Sequence, residues 1–480
     1  MSKSREKRWS AGLPCVSLLL VLARALTSFD HFVKIPRRPA PSGSVRFMRS
    51  RMRHRDGTTN LSRSIVHVCL LVLTISASSL AQTFTVLHTF SGDDGSSPFA
   101  GVTVDRAGNL YGATKYGGVA NCDLGCGTVF RLTRQASGWT FVPLYRFAGS
   151  SDGKSPIARV VFGPDGRLYG TTELGGNRPI NGGGTVFALA PPPTVCRTPC
   201  SWIKTTLWTF DQNQDNDGLR PGYGDLVFDS AGNIYGTTAE GGTTRPICGP
   251  GCGTVYMLSR LQGPWSETLI YQFGDGPAFH PYAGVSFDST GNLYGTTLLG
   301  GSPDGGVAYQ LTPANGSWSP AIVHNFSPQN DGARPSAGLL PDNAGNLYGA
   351  TGTGGSGGGG TVFELSKHGL DWSLQTLHSF DFPAHPFANL TMDAAGNLYG
   401  TTLEGGIFRH GNIFKLTHSG DSWTYTSLYD FTGGSDGSSP YGSVALDSAG
   451  NLYGTAVGGG SSDGECLITD GCGVVWQITP

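Results

Sequence analysis

The stretch Gly291-Asn292-Leu293-Tyr294-Gly295-Thr296-Thr297 decides the fold, because it returns seven times with small variations. Its tyrosine recurs as Tyr111, Tyr169, Tyr235, Tyr294, Tyr348, Tyr399 and Tyr453, at intervals of 58, 66, 59, 54, 51 and 54 residues. Such a period is too long for a leucine-rich or β-helix coil and suits the blade of a propeller. Around Tyr294 lie four short segments, A to D: 283–288 (AGVSFD), 292–297 (NLYGTT), 306–312 (GVAYQLT) and 318–326 (WSPAIVHNF). They are rich in Val, Leu, Tyr, Thr and Phe and bounded by Gly, Asp, Asn or Pro, as strands are. Segments A and B are joined at Asp288, and similar turns carry Asp105, Asp229, Asp342, Asp393 and Asp447. In such turns Gly takes the left-handed position and Asp bonds the turn's own amides. No helical periodicity appears in the repeat region. The expectation is an all-β, seven-bladed β-propeller with four-stranded blades.

The ends of the repeat region predict circular closure. Segment D carries a Trp eight residues before a Phe: Trp139/Phe147, Trp202/Phe210, Trp265/Phe273, Trp318/Phe326, Trp372/Phe380 and Trp423/Phe431. The chain stops at Pro480, after a C segment, so the last unit lacks its D strand, while 83–90 (TFTVLHTF) is a D strand with nothing before it. That N-terminal strand can complete the last blade and remove an exposed edge. Gln82 stands where the other D strands have Trp.

These units resemble the GloVer (Gloeo/Verruco) tandem repeat of bacterial surface proteins. The likeness rests on the repeated GNLYGTT, the Gly pairs Gly117-Gly118, Gly175-Gly176 and Gly241-Gly242, and the Gly-Thr-Val-Phe runs Gly127–Phe130 and Gly184–Phe187. It covers residues 83–480 and implies export and life at the cell surface or outside the cell, without an established enzyme activity. Members carry a choice of C-terminal anchors, and no sorting tail follows Pro480. The A–B pattern is similar, more weakly, to NHL-type propeller repeats.

Residues 1–81 read as targeting. Arg49, Arg51, Arg53, Arg55 and Arg63 precede the apolar run 65–80, and small residues at Ser79 and Ala81 set a cut after Ala81. This is the layout of a signal peptide over about 49–81, with 1–47 an artefact of the gene start. The apolar run is short for a membrane span, although an uncleaved anchor is the alternative. Charge supports the division: residues 1–82 hold 14 Lys/Arg and 3 Asp/Glu, and residues 83–480 hold 18 and 31. The acidic bulk argues against nucleic acid as partner, and a monomer is expected.

Eight cysteines remain after the cut, in local pairs Cys122/Cys126, Cys196/Cys200, Cys248/Cys252 and Cys466/Cys472. In an exported chain these read as four small disulfide loops; the pairs lie in different blades and lack zinc spacing. In an up-and-down blade the D–A and B–C connections share one face. The B–C loops vary most in length, so binding is expected there. The D–A loops carry Asp-Gly-x-x-Pro at Asp94, Asp152, Asp217, Asp331 and Asp436.

Among these loops, Asp211, Asn213, Asp215 and Asp217 place oxygen ligands at alternate positions before Gly218, a calcium-type pattern that lacks the Glu of a full EF-hand. Catalytic candidates are His280, His385 and Arg334, each before a Pro in a D–A loop with Arg220 equivalent, and Glu173, Glu240 and Glu404 at the ends of B strands. A His beside an acid could exchange protons, and two carboxylates could serve a glycosidase. No nucleophile elbow, P-loop or H-E-x-x-H motif appears, and the run Gly354–Gly360 reads as a flexible connection. The repeated Tyr and Trp read as packing between blades. The leading expectation is a binding or scaffold propeller for a glycan, a peptide or a surface protein. The alternative is a polysaccharide hydrolase or lyase with channel carboxylates and calcium.

Overall fold

The computed structural model describes residues 82–118, 122–176, 182–193, 202–211, 217–260, 263–274, 276, 278–302, 304–369, 371–420, 422–460, 466 and 470–480. The predicted leader, Cys196, Cys200, Asn213 and Asp215 lie outside these residues.

The repeat motif builds its own hairpin. In blade 4, Asp288 Oδ1 accepts the amides of Thr290 (2.8 Å) and Asn292 (3.0 Å), while Oδ2 accepts Asn292 Nδ2 (2.8 Å) and the Tyr294 hydroxyl (3.2 Å). A Tyr-to-Asp bond recurs in all seven blades, to the Asp six residues before the tyrosine in six of them, from Tyr111 to Asp105 through Tyr453 to Asp447, and in blade 2, where Gly163 holds that position, from Tyr169 to Asp165. One carboxylate therefore fixes both the turn and the outward end of strand B. Burial opposes ionisation of Asp288, Asp393 and Asp447, but the bonds from the Asn side chain, led by Asn292, Asn397 and Asn451, outweigh it and hold these carboxyls below the usual range.

Seven four-stranded antiparallel sheets result, each ordered A-B-C-D. Blade 4 shows the plan: A is Ser286–Phe287, B Leu293–Thr297, C Val307–Ala314 and D Ser317–Asn325. The blades occupy 103–146, 161–209, 227–272, 286–325, 340–381, 391–430 and 445–479. The seventh is completed by Thr83–Thr89, paired antiparallel with Val474–Thr479 from Thr83↔Thr479 to Thr89↔Val474. This is the closure expected from the sequence. Strand A is shorter than the segment AGVSFD suggests, because only Ser286 and Phe287 pair with strand B. The residues before them face the axis and bond across blades instead: Thr237 Oγ1 donates to the Ala283 carbonyl at 2.9 Å and Thr455 Oγ1 to that of Ala100 at 2.8 Å.

The core is distributed between blades. The motif tyrosine packs on the D-strand tryptophan of the following blade, with ring centroids 6.0 to 6.3 Å apart for Tyr111/Trp202, Trp139/Tyr453, Tyr235/Trp318, Tyr294/Trp372 and Tyr348/Trp423. The motif glycine answers to the strand opposite it. A Cβ at Gly295 would lie 2.4 Å from the Tyr309 hydroxyl, and one at Gly112 2.5 Å from Phe130 Cζ; both aromatics are cross-strand partners. The run Gly354–Gly360 differs from the flexible connection expected of it. Gly358 opens the 11-residue strand Gly358–His368, and a Cβ at Gly359 would lie 2.2 Å from the Asp381 carbonyl. The glycines there allow a close approach of two backbones.

Candidate functional site

The residue before each D–A proline holds the rim of the channel. Ser97, Ser155, Arg220, His280, Arg334, His385 and Ser439 all have left-handed φ, from 54° to 60°. A non-glycine residue pays about 1–2 kcal/mol for this conformation. Two backbone bonds hold each one: in blade 4, His280 N–H donates to the Cys252 carbonyl of the preceding blade at 2.8 Å, and the His280 carbonyl accepts from Leu298 N–H at 2.9 Å. His280, His385 and Arg334 thus occupy equivalent places on blades 4, 6 and 5. The imidazoles add a side-chain tie, with Nδ1 bonded to the carbonyl of Ala239 (2.9 Å) and of Gly352 (2.7 Å). A carbonyl only accepts, so Nδ1 carries the proton and the neutral ring has its lone pair on Nε2.

Just beyond the prolines a ring of half-buried aromatics surrounds the axis: Phe99, Tyr223, Tyr282, Phe387 and Tyr441. Phe99/Tyr441 and Tyr223/Tyr282 have centroids 5.4 and 4.4 Å apart. The central cavity they close holds about 50 Å³, room for a few waters. Sequence reasoning passed over this ring, although the pattern Pro-aromatic at Pro98-Phe99, Pro281-Tyr282, Pro386-Phe387 and Pro440-Tyr441 carries it.

Glu173 and Glu240 meet at this rim through Arg220. The guanidinium Nε lies 3.2 Å from Glu240 Oε2 and Nη1 3.9 Å from Glu173 Oε1. Lys115 Nζ is 3.5 Å from Glu173 Oε2, and the Tyr223 hydroxyl donates to Glu173 Oε1 at 3.2 Å. Burial, then the Glu173 charge, raises the Tyr223 hydroxyl well above the usual tyrosine range. Two cations and two carboxylates make the cluster neutral, and it ties Tyr223 and Arg220 to Glu173.

Glu404 lies elsewhere, exposed on blade 6 in a cleft of about 380 Å³ shared with His378, Asp381, Phe382, Arg409 and Tyr425. His378 stacks on Tyr425 with centroids 4.3 Å apart, and burial lowers its pKa. Beside the cleft the apolar side chains are open to solvent: Phe382 is 69%, Ile407 80% and Phe408 53% exposed. With Leu124 and Ile247, five of the seven large exposed hydrophobics among the described residues stand in D–A or B–C loops. These loops share one face, since each D–A loop pairs with the B–C loop of its own blade, as in Ser96↔Tyr116, Lys154↔Leu174 and Ser438↔Gly458.

The same face carries disulfides Cys122–Cys126, Cys248–Cys252 and Cys466–Cys472. Among the described residues no three His, Cys, Asp or Glu side chains gather as a metal centre. Within the predicted calcium loop, Asp217 is buried, and its Oδ2 accepts the Asp211 amide at 2.7 Å. Asp217 also meets Glu267 of strand D, Ser266–Gln272. Burial, then the Asp217 charge, pushes the Glu267 carboxyl up to about 8.

A family model described as Gloeobacter/Verrucomicrobia repeat matches residues 72–246 and 248–467. No curated protein matches the chain. Solved structures resemble the chain at low identity. A protein of unknown function from Dyadobacter fermentans is 11% identical, with 83% of this chain and 98% of that one covered and a TM-score of 0.44. A polysaccharide lyase of family PL25, an ulvan lyase, is 10% identical over 82% and 95%, with a TM-score of 0.48. A fungal alcohol oxidase of the AA5 family in complex with copper is 12% identical over 83% and 76%, also at 0.48.

Proposed function

The chain belongs to the Gloeobacter/Verrucomicrobia repeat family, and from that premise we propose that it is an exported propeller that binds a peptide or protein surface through its D–A and B–C loops. The observation that carries this reading is the placing of Leu124, Ile247, Phe382, Ile407 and Phe408 in solvent on that face. Exposed apolar side chains gathered on one face mark interaction sites. Aliphatic tips such as Leu124, Ile247 and Ile407 suit a protein partner better than a glycan, which stacks on aromatic rings. Three disulfides support a place outside the cytoplasm. The small central cavity and the charge-neutral Glu173/Arg220/Glu240 cluster favour binding over hydrolysis at the channel.

The test is retention on isolated cell envelopes of a producing bacterium. Replacing Ile407 and Phe408 by Ser should lower retention at least tenfold while leaving thermal unfolding unchanged, because both side chains are solvent-exposed. Equal retention of the variant removes this face from the binding reading. New reducing or unsaturated ends released from a polysaccharide panel, lost on Glu173→Gln or Glu240→Gln, would replace binding by the hydrolase or lyase alternative.

A further inference from the structure

Four of the five D–A loop aspartates have a hydrogen-bond donor from a D strand. Asp94 takes His88 Nε2 at 2.9 Å, Asp331 takes His324 Nε2 at 2.7 Å, and Asp436 takes the Tyr429 hydroxyl at 3.0 Å. Asp152 takes the Tyr145 hydroxyl at 2.8 Å and Lys204 Nζ at 2.9 Å. The Lys204 ammonium also donates to the Asp152 carbonyl at 2.7 Å and to Thr206 Oγ1 at 3.0 Å, with its side chain only 5% exposed. Blade 2 thus has a cation built into this place.

Blade 3 has the same place with the opposite charge. Lys204 pairs across the sheet with Leu189, and Glu267 pairs with Leu258; the two leucines occupy the same register in their blades. Glu267 therefore stands where Lys204 stands, and it meets Asp217 as Lys204 meets Asp152. Asp217 is 7% exposed, and its Oδ1 and Glu267 Oε1 are both buried with no hydrogen-bond partner. The Tyr256 hydroxyl, in a fully buried side chain whose ionisation the Glu267 charge opposes, also lacks a partner. A carboxylate has only acceptor oxygens, so two carboxyl groups buried together are relieved either by a proton that one donates to the other, as the raised Glu267 carboxyl can, or by a cation between them.

We propose that Asp217 and Glu267 form a calcium site between the D–A loop and strand D of blade 3, with the bound ion taking the place that the Lys204 ammonium fills in blade 2. The pair differs from the ligand set Asp211, Asn213, Asp215 and Asp217 expected from the sequence, because its second carboxylate comes from a strand fifty positions along the chain. Hard oxygen donors select calcium over softer metals. A site with two carboxylates and water in its remaining positions belongs with extracellular modules that bind at about 0.1–1 mM. This inference is independent of the loop-face binding reading.

Calorimetric titration of the oxidised protein with calcium chloride should show one ion per chain in that range. Thermal unfolding in calcium at ten times Kd should rise by about 2 °C over EDTA. Glu267→Lys supplies the ammonium from within, so it should lose the calcium response and unfold in EDTA at or above the calcium-loaded parent. Glu267→Gln keeps a hydrogen bond to Asp217 and should weaken calcium at least tenfold. Lack of a calcium response in the parent, or an unaltered response in Glu267→Gln, overturns the site.

Discussion

At the scale of single residues, the Asp of the A–B turn is the position on which each blade depends most. Asp288 accepts five bonds from Thr290, Asn292 and Tyr294. Asp288→Ala leaves the Tyr294 hydroxyl and two amides without their acceptor and should cost about 1–3 kcal/mol, read as a lower midpoint in urea at unchanged slope. The same residues set the acid limit. Asp288, Asp393 and Asp447 have native pKa values below the ordinary 3.8, so the unfolded chain binds protons first. Their contribution is complete above the unfolded value and is lost as pH falls through the native one. Unfolding midpoints followed downward from pH 5 should hold until about pH 4 and then drop, and Asp288→Asn should make that drop shallower. The Asp was legible as a turn residue in the sequence. Its bond to Tyr294 was not, because the turn pattern speaks only for backbone amides.

At the scale of the strand, the repeated Gly and the aromatic opposite it form one unit. The glycines face Phe130, Phe187, Tyr256, Tyr309, Phe363, Phe414 and Trp476 in the seven blades, each within 2.7 Å of a Cβ built on the glycine. Those aromatics are almost wholly buried, so they have nowhere to move. Gly295→Ala should destabilise by about 1–3 kcal/mol through overpacking, and adding Tyr309→Leu should recover part of the loss by opening space. A double-mutant cycle in urea checks the coupling; additive costs would mean that the glycine serves the backbone alone. The sequence makes B, C and D strands legible, since Leu293–Thr297 and Val307–Ala314 fall where the residue pattern sets them. It misleads on strand A, whose inner half trades sheet pairing for bonds such as Thr237 to Ala283. The site suffered more than the fold. Phe99, Tyr223 and Asp217–Glu267 come together only when blades are set side by side, and Ile407-Phe408, visible in a short loop, gain meaning only from their exposure.

At the scale of the whole ring, closure rests on one strand drawn from the opposite end of the chain. Thr83–Thr89 pairs with Val474–Thr479, Phe84 stacks on Tyr429 of blade 6 with centroids 3.7 Å apart, and Phe90 is fully buried against Phe130 of blade 1. The strand therefore joins blades 6, 7 and 1 at once. Without it, Val474–Thr479 becomes an edge with unpaired amides and the packing surface of Tyr429 is open to solvent. An open edge of this kind recruits other chains. A chain beginning at Ser91 should thus aggregate or run as oligomers on size exclusion, where the chain beginning at Gln82 runs as one species. The missing strand should also act in trans, because what it supplies is a backbone ladder and two aromatic anchors. A synthetic peptide of residues 82–90 added during refolding should restore the single species, and the same peptide with Phe84→Ser and Phe90→Ser should not. Rescue by both peptides would assign closure to the backbone ladder alone; rescue by neither would mean that the ring needs the strand covalently attached, so that its high effective concentration, rather than its contacts, closes the propeller.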